Sequence, residues 1–502
     1  MVDPKIEAAA TPVQHEKKVP THSAVWLSFA DSMCSLMCAF AEGGVLTYFF
    51  VYYLGLNWGL ASIVWGIFAA WNAVNDPLYG FIADHSKFKL GRRLPWIRYG
   101  APIYAVLFIV TWIAFPSMKG NQAFLMAQMI IVLFFFDTLY TAIASALYVM
   151  PYEMAVTNKA RSPIFVWKIV FSILSTGIPM IVSGYVSKLL ENYTAFLAIM
   201  VGLGLVGGVV IFISTFFYKE NGYVKEEAQP GFFKGLLTCL KNKSFLLFEV
   251  ISFTVIYAQA NLMTGLTAAW PMWSATWLGD SASLAQYICL GVVVIGAAVG
   301  VVFDSLLQGK IGAKVLTLGM CASMAIGCFL GTFLGRYFVI LVIAFFLIGI
   351  GFAGGMYLIP VINGDVIDKD EMVNGSRREG VYAGVNSLLT KPAASFAQIV
   401  YMAILQGYGL IGKEDAQGQM IYDWAAQSDS VKNGFFLAWM LIPGILLVLS
   451  FVAMMFFPLA GKKWNEEKAA LAKRHEEKEA AFEQEVLKKQ AEEAKASAGE
   501  AK

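Results

Sequence analysis

Trp71-Asn72-Ala73-Val74-Asn75-Asp76-Pro77-Leu78-Tyr79-Gly80 closes a long apolar run, and Asp84-His85-Ser86-Lys87-Phe88-Lys89-Leu90-Gly91-Arg92-Arg93-Leu94-Pro95-Trp96 follows it. A run of about 20 apolar residues reaches across a bilayer, and a loop dense in Lys and Arg marks its cytoplasmic end. Asp76 then lies roughly two helical turns inside the membrane. A carboxylate at that depth is costly unless it faces a polar cavity or a partner, so Asp76 is by default a group that handles an ion or a substrate. The alternative is a helix-end aspartate held by the loop.

The rest of the chain repeats this unit. Of its 502 residues 58% are hydrophobic and 14% charged, with a mean hydropathy of +0.63. No soluble core absorbs that many unbroken apolar segments, whereas helices satisfy their own backbone hydrogen bonds in lipid. The sequence therefore predicts an all-α membrane protein with twelve transmembrane helices, near 24–54, 60–83, 96–116, 122–151, 163–188, 194–218, 244–270, 282–308, 315–334, 337–360, 381–405 and 432–457. Every second connection is basic: Lys87, Lys89, Arg92 and Arg93; Lys159 and Arg161; Lys219, Lys225, Lys234, Lys241 and Lys243; Lys310 and Lys314; Lys369, Arg377 and Arg378. The other connections carry only Lys119, Lys188, Arg336, Lys413 and Lys432. The positive-inside rule then places both termini in the cytoplasm of a multi-pass protein of the plasma (inner) membrane.

The polar segment 1–23 lacks the basic-then-apolar order of a signal peptide, so the first span is expected to be retained. The long basic connection 219–243 divides the spans six and six, giving an N-terminal bundle over 24–218 and a C-terminal bundle over 244–457. The tail 458–502, rich in Glu, Lys and Ala, reads as a solvated helix or a disordered extension peripheral to transport, the alternative being a regulatory or oligomerising tail. Cys34, Cys38, Cys239, Cys289, Cys321 and Cys328 show no metal-ligand spacing and imply no disulfide framework. Four histidines offer no metal cluster, and there is no His-Glu-x-x-His, Gly-x-Ser-x-Gly or phosphate-loop pattern, so an enzyme is not expected. Neither a cofactor nor a nucleic-acid partner is expected, and the protein is expected to act as a monomer.

A weak internal echo supports duplication. The fourth span ends in Met150-Pro151-Tyr152-Glu153 and leads to Arg161; the tenth ends in Ile359-Pro360 and leads through Asp365, Asp368 and Glu371 to Arg377, Arg378 and Glu379. Two six-helix halves around a central site is the architecture of the major facilitator fold. Taken together, Asn75-Asp76-Pro77 with Gly91-Arg92-Arg93-Leu94-Pro95-Trp96, Pro151-Tyr152-Glu153 with Arg161, Gly364-Asp365-Val366-Ile367-Asp368, Gly375-Ser376-Arg377-Arg378-Glu379-Gly380 and Lys391 resemble the glycoside-pentoside-hexuronide:cation symporter family, the melibiose permease type. The resemblance covers both halves in order. It implies a secondary active transporter carrying a small molecule, a glycoside or related carbohydrate, with a cation. A branch of the same family that carries lysophospholipids supplies the alternative, and a non-transporting receptor or scaffold is a third reading.

Asn72 and Asp76 are four residues apart, on one helix face, with Asn75 beside them. Sodium-coupled family members carry two carboxylates on that face and a third on the fourth helix. Here the first is Asn72 and the third position, counted back from Pro151, falls near Ile143. A hard cation wants several oxygen ligands and a proton needs one carboxylate, so protons are favoured over sodium, with Asp76 as the remaining acid. Lys391, midway along the eleventh span, is the expected partner of Asp76; the alternative is a lysine reaching for an interface. Galactoside-binding members use a first-helix aspartate and a fifth-helix arginine. The counterparts here are Asp31, Glu42 and Lys168, and lysine does not fork onto a hydroxyl pair as arginine does. Trp167, Trp71, Tyr148 and Tyr382 could stack on a sugar ring, the alternative being packing or interfacial anchoring. Asp137, Glu249 and Asp304 are further intramembrane acids with no assigned counterpart.

Charges in the loops suggest a cytoplasmic gate: Asp84, Arg92, Arg93 and Arg161 from one half, Asp365, Asp368, Arg377, Arg378 and Glu379 from the other, with Arg378 and Asp368 as one pair. The alternative is ordinary topology-setting charge. Gly91, Gly375 and Gly380 are expected to supply tight turns.

Overall fold

The computed structural model describes residues 19–475 apart from 85, 87, 89, 156–157, 221–231, 269–281, 336, 376–377, 415–419 and 424–425, together with 477–478 and 481. The long apolar runs become helices because a chain in lipid has no other partner for its amides. Eleven helices among the described residues are long and apolar enough to cross a membrane. With Trp58–Asp84 they form twelve crossings.

In the N-terminal half these are α1 (Thr21–Ala41, continued by Gly44–Tyr48 and a π-helical turn Phe49–Tyr53), α2 (Trp58–Asp84), α3 (Leu94–Thr111), α4 (Gln122–Met154), α5 (Asn158–Glu191) and α6 (Tyr193–Ser214). The C-terminal half holds α7 (Lys243–Ala268), α8 (Ala282–Ile311), α9 (Ala313–Leu334), α10 (Phe338–Asn374), α11 (Glu379–Gly407) and α12, built from Asp429–Phe436, a π-helical turn Leu437–Leu441 and Ile442–Met455. Side chains cap several starts: Asn121 accepts from Phe124 N–H, Asn192 from Ala195 N–H and Ser428 from Val431 N–H.

Each half buries its own core. One cluster runs from Ala24 to Tyr218 within the N-terminal half; the other runs from Cys239 to Trp464 and takes in Tyr152 and Phe165 from across the divide, with Tyr148, Val166 and Ile169 packed against it. The halves meet along a seam where α2 packs on α11, α5 on α8 and α10, and α4 on α11. Small residues set the closeness of that seam. A Cβ on Gly80 would collide with the carbonyl oxygen of Gly380, and one on Gly384 would stand 2.9 Å from Pro77 Cα. Gly380 thus serves helix contact rather than the turn its sequence context suggests, whereas Gly91 (φ 131°) and Gly375 (φ 75°) do occupy left-handed turns. Five seam helices, α2, α4, α5, α10 and α11, carry internal prolines, whose missing N–H weakens the ladder where the helices must bend.

Two elements depart from the sequence reading. The tenth helix does not stop near 360 but runs to Asn374, because Asp365, Asp368 and Asp370, which look like loop residues, are buried with lysine or arginine partners, and Glu371 is buried against His475. The start of the tail, 461–475, is a helix docked on the basic end of the bundle, with Trp464, Leu471, Lys468 and His475 buried.

Candidate functional site

Three polar levels lie along the seam. The widest is a central cavity of about 440 Å³. The N-terminal half lines it with Asp31, Ser32 and Ser35 of α1, Asp76 of α2, Tyr140, Thr141, Ser145 and Tyr148 of α4, and Lys168, Ser172, Ser175 and Thr176 of α5. From the C-terminal half come Met356 and Pro360 of α10 and Ala383, Gly384, Ser387 and Lys391 of α11. Nearly all the hydroxyls therefore belong to one half, and the other presents small or apolar groups plus one lysine. Lys168 Nζ lies 3.2 Å from Asp31 Oδ1 and donates to Leu147 O at 3.2 Å, so the cation is held between α1 and α4. Ser32 donates to Phe171 O at 2.6 Å, tying α1 to α5 beside it.

A second level adjoins the cavity wall. Lys391 Nζ donates to Asp76 Oδ1 at 2.8 Å and also to Asn72 Oδ1. Thr141 Oγ1 donates to Asp76 Oδ1 at 3.2 Å. Asn75 Nδ2 reaches Asp137 Oδ2 at 2.7 Å and Thr141 Oγ1 at 3.0 Å. Asn75, Asp76, Asp137 and Thr141 are buried, and Lys391 is half-buried. Helix geometry explains the gathering: Asn72, Asn75 and Asp76 share one face of α2, and Asp137 and Thr141, four apart on α4, face them. Glu42, half-buried at the break in α1, lies within electrostatic range of Asp137, Lys391 and Asp76.

Asp76, the acid left at the positions the resemblance singles out, is joined by Asp137 of α4, one of the further intramembrane acids of the sequence. Ile143, the fourth-helix position reached by counting back from Pro151, is packed in the hydrophobic core. Glu42, expected at the substrate, belongs to this cluster and does not line the cavity. Trp167 packs on Phe171 with ring centroids 5.8 Å apart, and Trp71 packs on Phe134 at 4.5 Å; neither lines the cavity. Tyr382 lies outside it as well, buried, its hydroxyl accepting from Asn242 Nδ2 at 3.0 Å. Asp31, Lys168 and Tyr148 do line it.

The third level closes the seam at its basic end. Arg161 of α5 forks onto Asp368 of α10, at 3.1 and 3.0 Å, with both side chains fully buried, and its Nε donates to Ala155 O at 2.7 Å. Bidentate geometry of this kind is where arginine binds carboxylate most strongly. Three hydrogen bonds flank it across the halves: Asn363 to the Tyr148 hydroxyl at 3.0 Å, the Tyr152 hydroxyl to Pro360 O at 2.9 Å and the Tyr357 hydroxyl to Ser162 Oγ at 2.8 Å. Asp368 also meets Lys468 of the tail helix at 3.3 Å, and Lys468 contacts Asp365. His475 Nε2 lies 2.6 Å from Glu371 Oε1, and Lys369 donates to Glu467 Oε2 at 2.7 Å, which holds the Glu467 carboxyl below its ordinary value.

The pairing of Arg378 with Asp368 is corrected in turn: Arg378 binds Asp370, its neighbour in the same half, with Nε to Oδ2 at 2.9 Å. Arg93 meets Glu153 at 3.1 Å and Arg92 meets it at 4.0 Å, both within the N-terminal half. Glu379 is buried at the start of α11. Arg377 and the side chain of Asp84 lie outside the described residues. Sequence reasoning missed Glu220, whose carboxylate accepts the backbone N–H groups of Arg92, Arg93 and Leu94 at 2.6, 2.7 and 2.5 Å and so caps the start of α3. A contact between positions so far apart in the chain leaves no local mark.

With this geometry in place, the chain matches the MFS/sugar transport protein family over residues 32–461. It is 25% identical over 191 residues to an Escherichia coli (strain K12) relative, YagG, that carries a provisional glycoside/cation symporter name; the match covers 37% of this chain and 40% of that one. A sodium-dependent lysophosphatidylcholine symporter 1 of Gallus gallus is 22% identical over 266 residues, 43% of this chain and 49% of the relative. The chain thus spans less than half the length of these two. An isoprimeverose transporter of Lactiplantibacillus pentosus is 22% identical over 467 residues, covering 89% and 90%. Among solved structures, the E. coli fucose:proton symporter FucP superposes with a TM-score of 0.58 at 13% identity, covering 88% of this chain and 99% of that one. A bacterial homologue of the iron transporter ferroportin gives 0.59 at 12%, covering 89% and 100%. The fold is common to carriers of unlike cargo.

Proposed function

Because the chain belongs to the MFS/sugar transport protein family, we propose that it is a secondary active sugar symporter that works by alternating access and is driven by protons. One observation carries the reading: at the wall of a hydroxyl-lined cavity between the halves, an ammonium from one half is held by the carboxylate of the other, Lys391 on Asp76. A proton arriving on Asp76 removes its charge and frees Lys391 for a hydroxyl of the sugar, so ion and substrate act on the same cross-seam contact. Protons are favoured over sodium because N–H donors already occupy the acids, Lys391 on Asp76 and Asn75 on Asp137. A proton can displace such a donor; sodium would need a shell of oxygens built anew.

The buried lock of Arg161 on Asp368, with the tail helix behind it, acts as the cytoplasmic gate that holds the cavity shut on that side. The loop charges support that orientation, with both termini in the cytoplasm of the plasma membrane. The name of the Gallus gallus relative raises a lysophospholipid as the other cargo, but a lining rich in serine hydroxyls favours a sugar. Counterflow of labelled isoprimeverose, other glycosides and lysophosphatidylcholine in proteoliposomes tests the class. Under imposed gradients, an acid exterior should drive glycoside accumulation, and a sodium gradient at constant pH should not. Exchange of the lipid but of no glycoside, or drive by sodium alone, overturns this reading.

A further inference from the structure

Among the described residues the buried acids Asp304 of α8 and Glu249 of α7 stand outside all three levels. Glu249 of α7 is 6% exposed, and among the described residues neither carboxylate oxygen has a hydrogen-bond partner. Its face of the helix points at α11: Phe245, one turn before it, packs edge-on against the Tyr382 ring with centroids 4.9 Å apart, and Ser252, one turn after, donates to Asn386 Oδ1 at 3.2 Å. Across the seam, Tyr148 lies within electrostatic range of Glu249 and accepts a hydrogen bond from Asn363. Asn363 Oδ1 is a further buried oxygen without a partner. Among the described residues, both Glu249 oxygens and Asn363 Oδ1 are thus buried acceptors with no donor, linked through Tyr148, which lines the cavity.

The buried and half-buried cations described on the surrounding elements are committed elsewhere. Lys391 of α11 holds Asp76, Arg378 holds Asp370, and Lys468 of the tail helix holds Asp365. The acids of α10 are likewise taken, Asp368 by Arg161 and Glu371 by His475. Lys241 and Lys243, about two turns away at the start of α7, are exposed at the basic end. A further acid, Glu379, is buried at the start of α11, and the other titratable side chains described on these elements are Tyr148 of α4, Tyr357 of α10, Tyr382 of α11 and Cys239 of the short helix Phe232–Lys241; α12 supplies the hydroxyl of Ser450, bound to Thr254. A bare carboxylate in that setting has neither solvent nor a counter-charge.

We propose that Glu249 is a second proton-binding site, in the C-terminal half, which holds a proton as the neutral acid while the gate is closed and releases it to water when the gate opens. Parting Tyr148 from Asn363 and Tyr152 from Pro360 O admits solvent to the oxygens of Glu249, where ionisation becomes favourable, and reclosure requires the proton back. Protonation of Glu249 stands on its surroundings alone; the coupling of its release to transport rests on the symport reading above.

The test is infrared spectroscopy of the full chain in proteoliposomes, comparing spectra in acid and alkaline buffer. The carbonyl stretch of a protonated carboxyl group should be present in the unmodified chain, lost in Glu249→Gln and retained in Asp76→Asn. The amide keeps the shape of the neutral acid, so the variant should fold. As a second measurement on the unmodified chain, dicyclohexylcarbodiimide, which attacks protonated carboxyls in apolar surroundings, should label Glu249 in acid buffer and not in alkaline buffer. An unchanged carbonyl band in Glu249→Gln, or a spectrum of the unmodified chain with no band to lose, overturns the proposal. For the release step, Glu249→Gln should keep isoprimeverose counterflow while losing accumulation driven by a pH gradient; full accumulation overturns release. If the unmodified chain moves no glycoside at all, the symport reading fails while the infrared result still decides Glu249.

Discussion

The contact of Lys391 with Asp76 and that of Arg161 with Asp368 both join the halves through an ion pair, and they are built for opposite ends. Lys391 is 35% exposed, reaches one carboxylate oxygen and borders a cavity, so water or a ligand can take its place. Arg161 and Asp368 are 0% exposed, joined by two hydrogen bonds, and backed by a backbone carbonyl on one side and Lys468 on the other. Burying charge is unfavourable unless every donor and acceptor is met, so the dry pair breaks only when the halves separate as bodies. The wet pair can exchange partners while they stay together. A carrier needs both: one contact sensitive to chemistry, one sensitive to conformation.

The comparison can be broken at its wet end first. Asp76→Asn should abolish uphill accumulation while permitting downhill exchange, since Lys391 would lose the charge that restrains it; accumulation retained at all pH values would remove Asp76 from coupling. At the dry end, Asp368→Asn leaves Arg161 buried without its counter-charge and should cost the closed gate about 3–5 kcal/mol. That should raise the rate at which a membrane-impermeant thiol reagent, added on the basic side, labels Ser145→Cys in the cavity by about 100-fold or more. Reversing both charges, Arg161→Asp with Asp368→Arg, should recover part of the loss.

Smaller effects sharpen the picture. Gly384→Ala places a methyl against Pro77 at the helix contact beside Asp76, and overpacking of this kind costs about 1–3 kcal/mol, visible as a lower melting temperature in detergent. Lys468→Ala removes a charged hydrogen bond from the gate while Arg161 remains, so labelling of the Ser145→Cys cavity should rise by less than in Asp368→Asn. Lys369→Ala should leave transport unchanged, because its bond to Glu467 is half-buried at the surface, where water still reaches and screens it. Since Lys369 lowers the Glu467 carboxyl, what the pair contributes is present at neutral pH and fades as pH falls through the carboxylate range; a melting-temperature difference between Lys369→Ala and the unmodified chain should be visible at pH 7 and vanish in acid.

Local order made part of the site legible. Asn72, Asn75 and Asp76 are neighbours on one helix face, so their grouping follows from a repeat of 3.6 residues, and an ammonium and a carboxylate both stranded in lipid have few partners other than each other. Asp137 is visible in the sequence as an acid within the fourth span, but its contact with Asn75 depends on the rotation of α4 relative to α2, which no spacing within one helix encodes. Trp167 and Tyr382 were misplaced for the same reason: an aromatic ring suits a sugar, a core and an interface alike, and only the direction of its helix face decides among them. The docked segment 461–475 was misread because its charges look solvated, yet Lys468 and His475 are buried against acids that α10 delivers from a hundred residues earlier.

What the sequence by itself determined was the class, the number of crossings and the acid–lysine theme, since apolar run length, loop charge and the expense of a buried ion are properties of short segments. Only the tertiary structure decided which acid faces which base, that one half carries nearly all the cavity hydroxyls, and that Glu249 has no donor among the described residues. Those facts depend on how whole helices turn and pack against each other across the seam, and that is fixed by the sum of many contacts rather than by any single stretch of residues.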